Sequence, residues 1–430
     1  MKNQDKPNQS TRREFIRKTA TAASGIGLFH IVPRRVLGGE GHTAPSDTVT
    51  RAVIGLGRGN GFTMANKDEN APVTLAVCDV DSKRLERSLA RAGKPCKGYK
   101  DFREVMERDD IDTIFVMTPP HWHALVCLHA AQSGKDLYCE KPMTRFIAEG
   151  QHVADAVRRY GRVFQIGTFG RYGASRNSNY RMVRKIMGSG FLPKEKAPVI
   201  KIRGNFKVKR WSGLIDWQPQ PIPKELDWDM YLGPAPYKPY HRHRTHGSFR
   251  GYWDFDGGGL ADMGQHFLDG VQWTLNKDHT SPIEVQANAP FPAHPDACGM
   301  WGWVELKYED GTTLIFESRE WGESHPASER GYPSLNDLSP EHQKIVQAIP
   351  DEEPMIGNGQ WEFERAVKER RPCGGNADVS NRCATLLHLA NIAIRTGRKL
   401  RYDPAKQQFI GDEEANRLVN VPMRAPWHLA

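Results

Sequence analysis

Residues 52–61 read Ala52-Val53-Ile54-Gly55-Leu56-Gly57-Arg58-Gly59-Asn60-Gly61, a short apolar run that stops at alternating glycines. An apolar strand, a glycine-rich turn and then a helix form the entry to a dinucleotide-binding unit. Glycine lets backbone N–H groups approach a pyrophosphate at the helix N-terminus without a side chain intervening. Position 60, where a third small residue is expected, is Asn60. Glycines alone say little. Their weight rises because Asp79 closes the next β-branched run, Val73 to Val80, about 20 residues on. A carboxylate there can accept from both ribose hydroxyls and repels a 2′-phosphate. NAD is therefore expected over NADP, with Lys83 and Arg84 close enough to soften the preference. The cofactor contacts expected from this stretch are Gly55, Leu56, Gly57, Arg58, Gly59 and Asp79.

Outward from this turn, strands alternate with helices. Strands are expected at Thr113 to Met117, Asp136 to Cys139 and Val163 to Ile166. Helices are expected at Ser82 to Ala92 with Ser82 as cap, Asp101 to Arg108, His123 to Gln132 and Thr144 to Tyr160. That alternation predicts βαβ units on a parallel sheet, a Rossmann-type dinucleotide-binding domain over residues 48–166. Beyond about Gly167 the pattern changes. Tyr172 to Met187 reads as helix, and Val199 to Lys209 alternates with Lys201, Arg203, Lys207 and Lys209 on one parity. Period two with a charged face predicts a half-exposed strand of an antiparallel sheet, its basic stripe facing solvent. Further strands are expected at Glu284 to Ala287, Gly302 to Tyr308 and Thr313 to Glu317, and a late helix at Ala384 to Arg395, so 167–430 forms a second, α/β domain.

Two clusters carry chemistry. Glu140-Lys141-Pro142 ends a strand of the first domain, and Asp262-Met263-Gly264-Gln265-His266 lies in the second. Taking a hydride from a secondary alcohol requires removal of the hydroxyl proton as the C–H bond breaks. His266 has the side chain whose ordinary pKa, about 6.5, suits that base. Asp262, four residues earlier, shares its helical face and can orient the imidazole or bind a neighbouring hydroxyl. Lys141 supplies positive charge where an alkoxide develops. Arg171, Trp253 and His246 are the expected substrate contacts, Trp253 as a stacking platform; Trp211, Trp217 and Trp228 read as core. His241, His243 and His246 sit in a Pro/Tyr-rich loop without cysteine or carboxylate at ligand spacing, so no metal is expected.

These motifs together with Thr118-Pro119-Pro120-His121-Trp122-His123 resemble the Gfo/Idh/MocA family, named for glucose-fructose oxidoreductase and inositol dehydrogenase. The resemblance runs from about Thr48 to the Arg424-Ala425-Pro426-Trp427 tail. It implies a C-terminal α/β domain with a large, mostly antiparallel sheet whose open face often joins subunits, and hence a homo-oligomer. It maps Lys141, Asp262 and His266 onto catalytic positions, and Thr118, Pro119, His123, Glu140 and Lys141 onto the cofactor cleft. It also implies an NAD(P)-dependent oxidoreductase of carbohydrate metabolism acting on a sugar, polyol or glycoside hydroxyl. The alternatives are a hydrolase working by transient oxidation and elimination, and a non-catalytic sugar-binding protein.

The bulk numbers bound these readings. A chain of 430 residues with 38% hydrophobic residues suits two globular domains. The net charge of +9 would suggest nucleic acid, yet residues 1–35 carry eight basic groups against Asp5 and Glu14, most of the excess. The nearly neutral body gives no reason to expect a phosphate-backbone partner. Thr11-Arg12-Arg13-Glu14-Phe15-Ile16 before a small, apolar stretch to Val32 resembles a twin-arginine export signal. Residues 1–47 are therefore expected to be signal and linker, and the protein periplasmic. No run is apolar enough to span a membrane. Seven cysteines without a C-x-x-C pair make a disulfide framework unexpected.

Overall fold

The computed structural model describes residues 48–57, 61, 73–355 and 359–429. The stretch expected to be an export signal, and Arg58 and Gly59 of the glycine turn, lie outside the described residues. β1 (Thr50–Ile54) is the centre of a six-stranded sheet, with β2 (Val73–Cys78) on one side and β4 (Thr113–Val116) on the other. β3 (Lys97–Tyr99) lies outside β2, and β5 (Asp136–Cys139) and β6 (Phe164–Ile166) continue beyond β4. All pairings are parallel and the order is β3-β2-β1-β4-β5-β6. The chain leaves β1 toward one half of the sheet and β4 toward the other. That divergence opens a crevice at the strands' carboxyl ends.

Both faces of this sheet are covered, which explains the unbroken apolar character of β1, β4 and β5. One face packs on the helix His123–Gln132 through Ala124, Leu125 and Leu128. The other is closed by Phe363, Ala366 and Val367 of a helix late in the chain, Gly359–Glu369. Phe115 stacks on Tyr138 at 4.9 Å and meets Phe363 edge-on at 5.8 Å. Each such buried aromatic or aliphatic side chain contributes roughly 1.5–3 kcal/mol.

The second sheet runs β12-β11-β8-β9-β10-β7. It comprises β7 (Val199–Ile202), β8 (Glu284–Asn288), β9 (Trp303–Lys307), β10 (Thr313–Glu317), β11 (Leu400–Asp403) and β12 (Gln408–Phe409). Only the β10–β7 pairing is parallel. Its inner face buries Val304, Leu306, Leu314 and Phe316 against two helices, Gly258–Thr274 and Ala377–Thr396. The outer face carries ion pairs, Lys201 and Arg203 both meeting Glu317.

Several boundaries differ from the sequence reading. Asp81, not Ser82, caps the helix Ser82–Ala92, its carboxylate accepting from the Arg84 N–H at 3.2 Å. The expected helix from Thr144 begins at Ile147, because the Glu149 carboxylate takes the N–H groups of Arg145 and Phe146 at 2.8 and 3.1 Å. The expected helix Tyr172–Met187 is two, Gly170–Arg176 and Ser178–Ser189, broken where Asn177 turns its side chain to cap the second. β7 stops at Ile202 rather than reaching Lys209, and Lys207, at φ 54°, cannot continue an extended strand.

Candidate active site

The crevice is a cleft of about 660 Å³ running from Gly55 and Asp79 to Lys141, Asp262 and His266. At one end the turn after β1 is held by backbone. Gly55 sits at φ 93°, and a Cβ there would lie 2.6 Å from the Met117 carbonyl and the Thr118 nitrogen. Only glycine fits. Asp79 accepts from the Leu56 N–H at 2.7 Å and from the Asp81 N–H at 2.9 Å, one on each oxygen. Burial raises its pKa from the ordinary value, while those two hydrogen bonds and Arg84 pull the other way. The carboxylate therefore organises the first two turns as well as facing the cleft.

Arg84, Arg87 and Lys100 line this same end. His246, expected against substrate, does line the cleft, where it meets the Arg84 guanidinium at 2.5 Å and lies 3.8 Å from Asp81. Its contacts are with the helix after β2. Burial lowers its pKa, and Arg84 adds to the effect.

In mid-cleft, Thr118, Pro119 and Glu140 form the wall. Thr118 Oγ1 is buried without a hydrogen-bond partner among the described residues. Gly167 allows Glu140 close, since a Cβ would meet its Oε1 at 2.8 Å. His123 does not line the cleft. It stands behind the wall, its two ring nitrogens 2.8 Å from the Thr118 and Pro142 carbonyls, tying the turn after β4 to the Glu140-Lys141-Pro142 turn. Burial pushes its pKa down to about 4, so the ring is neutral near pH 7 and donates to one carbonyl at a time. A glycine turn that excludes a Cβ, a carboxylate beside that turn and an unpartnered hydroxyl in the wall fit a dinucleotide.

The other end is a buried charge cluster. β5 delivers Lys141, and the helix Gly258–Thr274 delivers Asp262 and His266. The Met143 N–H donates to Gln265 Oε1 at 3.0 Å and fixes the turn against that helix. Lys141 Nζ donates to the Asp262 main-chain carbonyl and lies 3.2 Å from Asp262 Oδ1. Arg250 Nε donates to the same Oδ1 at 2.6 Å, and Trp211 Nε1 to Oδ2 at 2.9 Å. Asp262 is 1% exposed. Burial would raise its pKa, but Lys141 and Arg250 hold it well below the usual carboxylate range. His266 stacks on Phe169 at 4.6 Å.

Two expected substrate contacts lie elsewhere. Arg171 is buried in ion pairs with Asp269 at 2.7 Å and Asp278 at 3.2 Å, behind the cleft wall. Trp253 is also buried, donating to the His294 carbonyl at 3.0 Å. Neither lines the cleft. Trp211, read as core, and Arg250, not singled out, are the groups that hold Asp262. Asp256 was also missed. It lines the cleft and is buried beside Arg250 and Asp262. Burial pushes its pKa up to about 6; Arg250 opposes and Asp262 reinforces the rise. No spacing rule points to these three, whose meeting depends on the tertiary fold. Among the described residues no cluster could hold a metal ion, and no helix is long and apolar enough to cross a membrane.

Residues 49–168 match the model of an oxidoreductase family, NAD-binding Rossmann fold, and residues 176–429 that of the same family's C-terminal alpha/beta domain. A glycosyl hydrolase family 109 protein of Shewanella pealeana is 26% identical over 216 residues, 46% of this chain and 47% of that protein. The scyllo-inositol 2-dehydrogenase (NAD(+)) of Bacillus subtilis is 31% identical over 122 residues, 28% of this chain and 36% of that protein. The chain thus spans less than half the length of these curated relatives. Among solved structures, the WlbA dehydrogenase of Chromobacterium violaceum, in complex with NADH and UDP-GlcNAcA, superposes with a TM-score of 0.53 at 16% identity, covering 83% of this chain and 96% of that one. With both domain models matched in order, the chain belongs to the Gfo/Idh/MocA oxidoreductase family, and its N-terminal domain is that family's NAD-binding Rossmann fold.

Proposed function

We propose that the protein is an NAD-dependent oxidoreductase acting on a hydroxyl of a sugar, polyol or glycoside. The observation that carries this is the Lys141–Asp262 ion pair, supplied by two domains and set at one end of the cleft that begins at Gly55. Gly55, Leu56 and Gly57 would hold the pyrophosphate, Asp79 the adenosine ribose, and Thr118, Pro119 and Glu140 the nicotinamide half. Asp79 favours NAD over NADP, although Arg84, Arg87 and Lys100 crowd that end. When bound, the nicotinamide accepts a hydride from carbon, or returns one.

The chain's own groups handle the proton and the charge. Asp262, held ionised by Lys141 and Arg250, fixes the Lys141 ammonium in one orientation. That ammonium has one N–H left to donate to a substrate oxygen and stabilises it as negative charge develops. His266, on the same helical face, takes the hydroxyl proton. Phe169, stacked on the imidazole, restrains its rotation. The test is a screen of purified protein against sugars, polyols and glycosides for reduction of its nicotinamide. No reduction by any would reject this reading.

A second reading, a hydrolase that oxidises a sugar carbon, eliminates the aglycone, adds water and then reduces the carbon again, is supported by Asp256. A carboxyl protonated up to about pH 6 inside the cleft can donate to a departing oxygen. Release of a chromogenic aglycone without net cofactor reduction would choose it. Either reading suits export through the Arg12-Arg13 signal if the nucleotide stays bound between turnovers and the cycle is redox-closed. Turnover after removal of free nucleotide, with no NAD added, is the expected result. The outer face of the second sheet remains the surface proposed for self-association.

A further inference from the structure

Arg210 lines two depressions. One is the cleft described above, and the other is an open groove of about 670 Å³ formed by the segment after β7 and the turn after β10. The two therefore meet at one guanidinium, which lies 4.6 Å over the ring of Trp211, the residue whose indole N–H holds Asp262. The groove opens at the reacting end of the cleft.

Its walls present Lys207, Lys209, Arg210 and Arg319. Among the described residues none of these four has a carboxylate partner. The groove's other cation, Arg203, is neutralised by Glu317 and Glu329 at 2.9 and 2.8 Å. Its one carboxylate, Glu320, is occupied by the Val208 and Lys209 N–H groups, each at 2.9 Å. Those two bonds pin one wall to the other, so the groove is built into the fold. Lys207 and Arg319, which both line it, have positive φ, 54° and 60°. Such strain in non-glycine residues persists where the surroundings over-determine it, and it gathers at ligand sites.

We propose that this groove seats an anionic substituent of the substrate, a sulfate, carboxylate or phosphate carried beyond the sugar ring whose hydroxyl reacts. The inference rests on the oxidoreductase reading for the position of that ring. A second copy of the chain is a poor occupant, since a twofold contact here would set cations against cations. An anion on the substrate satisfies the uncompensated charge and holds the sugar against the Lys141–Asp262 pair by a contact remote from the reaction.

The test titrates the NAD-loaded full-length protein with a neutral glucan oligosaccharide, its sulfated derivative, an oligogalacturonate of equal length, and UDP-glucose. At least one anionic probe should bind about tenfold or more tightly than the neutral one, with affinity falling as salt is added. The anionic probe that binds identifies the source of the charge. Lys207→Ala/Lys209→Ala should weaken that probe by about tenfold, and Arg319→Ala by roughly three- to fivefold, with neutral-probe and NAD binding unchanged. Equal affinity for charged and neutral probes would overturn the proposal. So would a double variant that binds the anion as wild type does, or one that changes only the sedimenting mass. If the groove variants lose anion binding while no sugar reduces the cofactor, the oxidoreductase reading fails and the groove stands. If sugars reduce the cofactor and the groove variants bind anions normally, the groove fails alone.

Discussion

The two ends of the cleft are built in opposite ways. At the Gly55–Asp79 end, backbone atoms do the work: a glycine that admits no Cβ, and a carboxylate bonded to two main-chain N–H groups. At the Lys141–Asp262 end, three side chains far apart in the chain, Lys141, Trp211 and Arg250, converge on the buried Asp262 carboxylate. A backbone cradle suits a cofactor that must be bound alike in every cycle. A buried charge cluster suits the place where charge develops, because low dielectric magnifies each interaction there.

The sharpest way to break this contrast is at the charge cluster. Lys141→Met should lower turnover by roughly 10²–10⁴-fold while leaving nucleotide binding near wild type; loss of both together would mean that the two ends are not separable. Gly55→Ala should do the reverse. The strained φ and the 2.6 Å approach to the Met117 carbonyl should displace the turn, weakening NAD binding severely and lowering thermal stability, as read by cofactor titration and melting. Asp79→Ala leaves the Leu56 and Asp81 N–H groups without their acceptor, a cost of about 1–3 kcal/mol. It should also move preference toward NADP, since Arg84, Arg87 and Lys100 remain.

A smaller effect sharpens the comparison. Trp211→Phe keeps the ring and removes only the N–H to Asp262, which should cost roughly 1 kcal/mol, about fivefold in turnover, with NAD affinity unchanged. The smallest concerns pH. The Asp256 carboxyl is raised to about 6, so the stability linked to its protonated form is full below its unfolded value and is lost as pH rises through about 6. Asp262 is shifted the other way, and its contribution holds until strongly acid pH. Asp256→Asn should therefore flatten the fall in melting temperature between about pH 4 and 6 and leave the acid limb below it intact.

The same contrast explains what was legible in the sequence. Gly55, Gly57 and Asp79 could be read because the strand–turn–helix unit that uses them is local, and the alternation around it gives the parallel sheet. Lys141, Asp262 and His266 stood out by motif; the fold pairs Lys141 with Asp262, and all three line the same cleft. Trp211 and Arg250 carry no comparable signal, since an Arg or Trp in a long connection acquires meaning only when the chain returns to Asp262. Arg171 and Trp253 misled for the complementary reason: an arginine and a tryptophan beside a site look like ligands until burial and partners are known. β3 was missed because Lys97-Gly98-Tyr99 has no apolar period, being an edge strand. The helix Gly359–Glu369 could not be assigned to the first sheet, because nothing local says where a late helix returns.

The central claim is that Lys141, anchored by Asp262, sits where the carbon bearing a substrate hydroxyl gives its hydride to the nicotinamide. The most direct measurement is a single-turnover experiment on the NAD-loaded protein with a sugar found in the screen, following absorbance of the reduced nicotinamide in wild type and Lys141→Met. The account predicts a rapid signal in wild type and one slowed by at least about 10²-fold in the variant, with the same amount of bound nucleotide. A variant that reduces its cofactor as fast as wild type would contradict it.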